Sequence, residues 1–415
     1  MREVGIIGGG AAGIMAAITA VTQGAKATIL EHQSRIGKKI LMTGNGKCNL
    51  TNLHDSEDDY YCDRPDFVSQ MLEQFQAKDT IAFFREFGLL CKEKNGGVYP
   101  ITEQASSVLD ILQMELDAKK VTVLTQVQVN CICKPDQSGH RITVETTQGD
   151  FTYDAVILAC GGCAHALTGS DGSGYKLARM CGHHIIQPLP ALVQLKCQES
   201  YYKSIAGVRC TAGLQLLVEG TVVARELGEL QVTDYGISGI AVFQFSRIAA
   251  KALYAHKKVT VCIDYLPQLS DIELKEIMSH VLVTHPFRTI EEVFLGIINK
   301  KLLRMILKQR GIPLTQVVST VSPTSIQVLL TDFKNWTVQI KDTLSFEHAQ
   351  VCCGGVDCTE VRGNCESTKM KGLYLAGELL DVDAKCGGYN LQWAWTTGYV
   401  AGSAAAGSSV TKGFS

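Results

Sequence analysis

Val4-Gly5-Ile6-Ile7-Gly8-Gly9-Gly10-Ala11-Ala12-Gly13 is the stretch that decides the fold. An apolar run, Val4 to Ile7, meets a glycine turn, and small and apolar residues then continue with helical character through Ala20. The pattern is strand, tight turn, helix, and the glycines fit G-x-G-x-x-G. Gly8 permits the sharp turn, Gly10 lets the backbone approach a pyrophosphate, and Gly13 lets the helix pack closely on the strand. Free N–H groups and the helix dipole then bind an anion without a basic side chain. Gly24 suits the helix C-terminus, Ala27 to Leu30 form the next strand, and Glu31 ends it. A carboxylate there accepts hydrogen bonds from a ribose 2′-OH and repels a 2′-phosphate. The unit predicts dinucleotide binding and leaves the dinucleotide open.

Working outward, the segment Gly37 to Asn52 is dense in glycine, lysine and small polar residues, as a loop wrapping a cofactor needs. Far downstream, Gly372 to Glu378 reads as a buried strand ending in Gly-Glu. Gly387-Gly388-Tyr389-Asn390-Leu391-Gln392 then opens a last helix with small residues at Ala394, Gly398, Ala401 and Gly402. This second helix N-terminus suits the electron-rich edge of a flavin, where reduction builds negative charge. A nicotinamide site has no need of it, so the chain as a whole favours FAD over NAD.

The chain has 415 residues, 46% apolar and 19% charged, which excludes a disordered, collagenous or coiled-coil protein. Its 39 basic and 41 acidic side chains give a formal charge of −2, with no excess to draw nucleic acid or an anionic membrane. Sixteen cysteines fall below the density of a disulfide-stapled scaffold, and the N-terminus enters a strand directly; a reducing cytoplasm is expected. Gly5 to Gln23 is interrupted by glycines and reads as strand, turn and buried helix, not as a membrane span.

The expected architecture is α/β: a Rossmann-like FAD-binding domain assembled from 1–191 and 345–415. A small β-domain, 192–266 with 335–344, is inserted as a cap, and 267–334 forms a helical subdomain. Short alternating runs such as Leu214 to Val218 and Thr221 to Ala224 carry the β reading. Helical spacing over Asp271 to His280 and Thr289 to Arg310 carries the helical one, and Val121 to Val129 reads as a strand pair. The tail from Gly402 to Ser415 is expected to fray.

Six blocks identify the chain as similar to a known family: GGGAAG; TGNGKCNLTN at Thr43 to Asn52; GGVYPITEQASSV at Gly96 to Val108; TGSDGSGYKLA at Thr168 to Ala178; TDYGISG at Thr233 to Gly239; and GLYLAGELLDVDAKCGGYNLQWAW at Gly372 to Trp395. They resemble the HI0933-like flavoproteins, which include bile-acid reductases of the BaiN type and aminoacetone oxidases. The resemblance implies a noncovalent FAD. Gly8, Gly10, Ala12 and Gly13 would hold its pyrophosphate, and Glu31 the adenosine ribose. Lys39, with Gly44, Asn49 and Thr51 from the following loop, would lie along the ribityl and flavin portion. Val127 would meet adenine through its backbone, and Ala159, Gly161 and Gly162 would approach the cofactor from the strand Ala155 to Leu158. Gly377 and Glu378, then Gly388, Tyr389, Asn390, Leu391 and Gln392, would complete the cradle. Where relatives commonly carry Thr-Gly-Gly, this chain has Cys160-Gly161-Gly162-Cys163, and Cys386 stands where a small residue is usual.

The remaining constellations are weaker. Cys160 and Cys163 have redox-motif spacing, but lie just beyond a buried strand, so a structural reading leads. Cys352, Cys353, Cys358 and Cys365 are too irregular for a zinc site, and no metal is expected. His183 and His184 read as a helix terminus, and His165 lies near the flavin strand. No H-E-x-x-H, G-x-S-x-G or P-loop pattern occurs.

For activity, the expectation is hydride transfer from flavin N5 to a conjugated C=C of a small hydrophobic enone, such as a 3-oxo-4,6-diene bile acid. NAD(P)H would dock only transiently, because no second G-x-G-x-x-G unit is present. Tyr235 and Cys48 are the candidate catalytic or flavin-side groups, with structural roles as the competing reading. The alternatives are amine oxidation of a small amino-ketone such as aminoacetone, with peroxide release, and a non-catalytic flavin-bearing RNA-binding or sensor protein.

Overall fold

The computed structural model describes residues 1–134 and 141–408. These described residues form two compact units, one of 1–134, 141–189 and 350–408 and the other of 190–349.

The first unit is built on a five-stranded parallel sheet. β1 (Glu3–Ile7) enters at the centre and is followed by α1 (Ala11–Thr22) and β2 (Lys26–Glu31). β3 (Thr122–Thr125) and β4 (Ala155–Leu158) come next, and β5 (Leu373–Leu375) is supplied by the C-terminal third of the chain. The order across the sheet is β5-β4-β1-β2-β3, with Ile7 level with Leu30 on one side and Leu158 on the other. β1 and β4 are continuous apolar runs because a parallel sheet is covered on both faces. Ile6 points to α1, where a Cβ added at Gly13 would stand 3.3 Å from it. Gly5 points the other way, and a Cβ there would collide with the Tyr153 ring at 2.4 Å. Tyr153 ends an antiparallel sheet of Val129–Cys133, Ile142–Thr146 and Gly149–Tyr153. Val121 to Val129 is therefore not one hairpin: its first half joins the parallel sheet and its end belongs to this second one.

α2 (Tyr389–Ala405) closes the unit by lying against α1. Gly398 and Gly402 are one turn apart, and Cβ atoms there would stand 2.4 Å from the Ala12 carbonyl and 2.5 Å from the Ala16 carbonyl. Only hydrogen fits at that distance. The helix continues past Gly402 to Ala405; of the tail expected to fray, 409–415 lie outside the described residues.

The second unit contains a closed six-stranded barrel of Leu195–Cys197, Gly236–Ser238, Thr221–Val232, Arg209–Val218, Val259–Asp264 and Trp336–Thr343, in that order around the wall. The hairpin Arg209–Val218/Thr221–Val232 is longer than its apolar alternation indicates, because much of its second strand alternates between exposed and half-buried positions. Helices Asp271–Thr284, Ile290–Phe294, Lys300–Gln309 and Pro323–Lys334 come between the last two strands. The helical spacing from Thr289 to Arg310 is broken in two, since Asn299 starts a new helix by accepting from the Lys301 N–H at 2.9 Å. Among the described residues no helix is long and apolar enough to cross a membrane.

Candidate functional site

The three fingerprint glycines occupy three different environments. Gly8 has φ +106°, and a Cβ on it would lie 2.5 Å from the Ala159 carbonyl. At Gly13 the Cβ would lie 1.9 Å from the Gly8 carbonyl, so the turn and the helix interlock. Gly10 is the N-cap of α1, makes no side-chain cap, and a Cβ there meets nothing within 4 Å. The helix thus presents unsatisfied N–H groups at its positive end to open space beside Gly10. That is the shape and polarity a pyrophosphate requires.

Glu31 is buried at 7% exposure, and both its oxygens are already engaged. Oε2 accepts from the Gly9 N–H and Oε1 from the Gln33 N–H, each at 2.7 Å. The carboxylate therefore holds the glycine loop. Val127 is buried and donates its N–H to the Glu31 carbonyl at 2.9 Å.

The C-terminal motif meets this nest. A Cβ on Gly377, φ +74°, would touch the Ala12 Cβ at 2.9 Å. Lys39 reaches across 339 residues to the Glu378 carboxylate at 2.7 Å, and Glu378 Oε1 also accepts from the Cys352 N–H at 2.9 Å. Gly388, φ +103°, caps α2 with no side chain of its own; a Cβ there would lie 2.6 Å from the Thr51 carbonyl and 2.9 Å from Asn49 Oδ1. Asn52 donates to the Gly387 carbonyl at 2.9 Å. Gly44 adopts φ +55°, with the Asn49 N–H 2.8 Å from where its Cβ would be. Among the described residues the buried atoms Asn49 Oδ1, Thr51 Oγ1 and Tyr175 Oη have no hydrogen-bond partner. Orphaned buried polar atoms around two uncapped helix starts mark a place for a polar ligand.

Ala159, Gly161 and Gly162 complete one wall. Ala159 donates to the Ile7 carbonyl, Gly161 has φ +71°, and a Cβ on Gly162 would stand 3.0 Å from Cys352 Sγ and 3.1 Å from both Glu378 Oε1 and Tyr175 Oη. Neither Tyr175 nor Cys352 is among the residues expected to line the cofactor. Tyr175 sits inside the TGSDGSGYKLA block, which carried the signal, whereas Cys352 stood out only as a member of an irregular cysteine cluster.

Other predicted residues are committed elsewhere. Gln392 accepts from Thr80 Oγ1 and donates to the Phe75 carbonyl and Thr396 Oγ1, while its N–H bonds the Gly388 carbonyl, so no donor is left for a ligand. Asn390 spends its side chain on both backbone groups of Ala384, leaving the first-turn N–H groups of Tyr389, Asn390 and Leu391 as the usable part of α2. Tyr389 packs edge-on to Tyr60 with ring centres 6.0 Å apart. Cys48 is fully buried, and burial pushes its thiol up to about 12, so it remains protonated and inside the core. Tyr235 lies in the other unit, half-buried, with its hydroxyl raised by burial. His183 is buried between Ser367 Oγ at 2.7 Å and Glu360 at 3.1 Å, a structural tie.

The cysteine spacing is misleading. Cys160 donates to the Ile7 carbonyl, and burial pushes its thiol up to about 12. Cys163 instead meets Cys352: its N–H donates to Cys352 Sγ at 3.0 Å. Burial raises Cys386 as well. Cys352, Cys353, Cys358 and Cys365 are all buried, and no metal-ligand group among the described residues includes them.

The chain is similar over almost its whole length to known proteins. The chain is 45% identical to the 3-dehydro-bile acid delta(4,6)-reductase of Clostridium scindens over 98% of its own length and 99% of the relative's. It is 29% identical to a ribosomal RNA dihydrouridine synthase of Haemophilus influenzae, covering 95% and 96%, and 28% identical to that of Escherichia coli, covering 95% of each. The family model described as the HI0933-like protein Rossmann domain matches residues 2–404. With the interlocked glycine turn, the parallel sheet and a match over almost the whole length, the chain belongs to the HI0933-like family.

Proposed function

We propose that this chain binds FAD noncovalently and reduces a C=C conjugated to a carbonyl in a small hydrophobic substrate, a 3-oxo-4,6-diene bile acid being the leading case. The observation that carries the activity is the full-length 45% identity with the bile-acid reductase. The open N-terminus of α1 beside Gly10 carries the cofactor. The more distant relatives are named for making dihydrouridine, which also saturates a C=C conjugated to a carbonyl. The shared chemistry is hydride addition at a β-carbon. Steroid is preferred to RNA because the identity is higher and the charge of −2 supplies no general attraction for phosphates.

When bound, the flavin supplies the hydride from N5. The chain's own residues bind and orient. The first-turn N–H groups of α1 take the pyrophosphate, and Glu31 takes the ribose without releasing Gly9. The Lys39–Glu378 pair holds the wall at Gly162, and the start of α2 faces the loop at Asn49 and Thr51. Tyr175, whose burial raises its hydroxyl well above the usual range, keeps its proton and offers it as a hydrogen bond. Neither Cys48 nor Gln392 is given a role in chemistry. The proposed electron donor is NADH or NADPH, docking transiently.

The test is anaerobic. FAD-loaded protein is reduced, mixed with a 3-oxo-4,6-diene steroid, and followed by flavin absorbance. Reoxidation together with loss of the dienone band is expected. Failure of every enone to reoxidise the flavin overturns the reading; peroxide from aminoacetone points to oxidation of an amine, and reoxidation by ribosomal RNA alone points to uridine.

A further inference from the structure

We infer that Cys163 and Cys352 form a redox-active dithiol that closes to a disulfide on reaction with a small disulfide such as oxidised glutathione. The two residues lie 189 apart in sequence, yet the Cys163 N–H donates to Cys352 Sγ at 3.0 Å. The contact is tight on both sides. A Cβ on Gly172 would stand 2.9 Å from Cys163 Sγ, and one on Gly162 would stand 3.0 Å from Cys352 Sγ. Glycines at both positions leave room for the sulfurs to face each other. The pair is also asymmetric in the way thiol exchange needs. Cys163 is half-buried and Cys352 is 1% exposed, so one sulfur can be reached and the other waits behind it.

Its electrostatics have the same direction. A hydrogen bond from Cys352 lowers the Cys163 thiol, against burial and the Glu378 and Asp171 carboxylates, which raise it. The same hydrogen bond, burial and the Glu378 carboxylate raise Cys352 well above the usual range. Because Cys163 is the more exposed of the two, it is the attacking sulfur and the buried Cys352 the resolving one. Cys163 Sγ attacks one sulfur of the small disulfide, forming a mixed disulfide and expelling one thiolate, which takes the Cys352 proton. Cys352 Sγ then attacks Cys163 Sγ and expels the second thiolate, protonated by the proton Cys163 gave to solvent. Two protein thiols are oxidised and one small disulfide is reduced to two thiols. Because the Cys352 N–H also holds Glu378, the new bond would close beside the Lys39–Glu378 pair.

The test is a peptide map of the full-length protein, reduced, freed of reductant, exposed to oxidised glutathione and alkylated. A linked pair of peptides carrying Cys163 and Cys352, lost on adding dithiothreitol and retained in Cys160→Ser, is the expected result. Cys352→Ser should trap glutathione on Cys163 several-fold above wild type. A wild-type map in which Cys163 is unlinked, or is joined to Cys160, overturns the proposal whether or not the variants fold. The readout needs neither flavin nor substrate, so its failure is separate from any failure of the reductase reading.

Discussion

Gly10 and Gly13 are three residues apart in one motif, yet substitution should affect them in opposite ways. Gly10→Ala places its methyl in open space, so apoprotein stability should change by less than about 1 kcal/mol, the scale of an N-cap effect. The same methyl would occupy the place of the proposed pyrophosphate, and FAD affinity should fall at least tenfold in a flavin titration. Gly13→Ala drives a methyl into the Gly8 carbonyl, and unfolding in urea should come much earlier, with flavin or without. A second residue sets a pH signature. Burial lifts the Asp55 carboxyl to about 6, against a donated hydrogen bond from the Tyr60 hydroxyl at 2.6 Å. The folded state therefore holds a proton that the unfolded chain, near 3.8, has already lost. This contribution to stability is full below the unfolded value and is lost as pH rises through about 6. Urea midpoints of wild type should drop between pH 5 and pH 7.5, and Asp55→Asn should flatten that step.

Among elements, the contact between α1 and α2 matters most, because it joins the two ends of the chain. Gly398 and Gly402 let the helices approach until only hydrogen separates them from the Ala12 and Ala16 carbonyls. Gly398→Val should cost about 2–3 kcal/mol by overpacking. It should also weaken FAD binding, since Ala12 belongs to the fingerprint turn; denaturant unfolding and flavin titration on the same sample check both. Several helices of the second unit pack into its own core and also carry side-chain caps. Ser270 caps Asp271–Thr284 by accepting from the Glu273 N–H at 3.2 Å, and the Glu273 carboxylate returns the bond to the Ser270 N–H. Ser270→Ala should lower stability by about 1 kcal/mol and leave FAD affinity unchanged.

At the scale of the whole molecule, every proposed cofactor residue lies in the first unit, and the barrel contributes none. Hydrogen exchange should show it. Adding FAD to apoprotein should slow the amides at the start of α1, from Thr43 to Thr51 and at the start of α2, and leave the barrel strands between Leu195 and Asp264 unchanged. Protection in the barrel strands equal to that at α1 would contradict the assignment.

The sequence by itself determined the local units. A strand–glycine–helix pattern closes tightly because a Cβ at Gly13 would run into the Gly8 carbonyl five residues back, and continuous apolar runs such as Ala155 to Leu158 must be buried on both faces. The blocks of family resemblance carried most of the proposed site. Only the tertiary structure decided which separated groups meet. It gave Cys163 a partner at 352 in place of 160, sent the Gln392 side chain into the core, and set Glu31 to hold the loop that it also serves. Spacing along a chain fixes neighbours within one turn or one strand; contacts across 189 or 339 residues are set by how the sheet and helices close, and no local pattern encodes them.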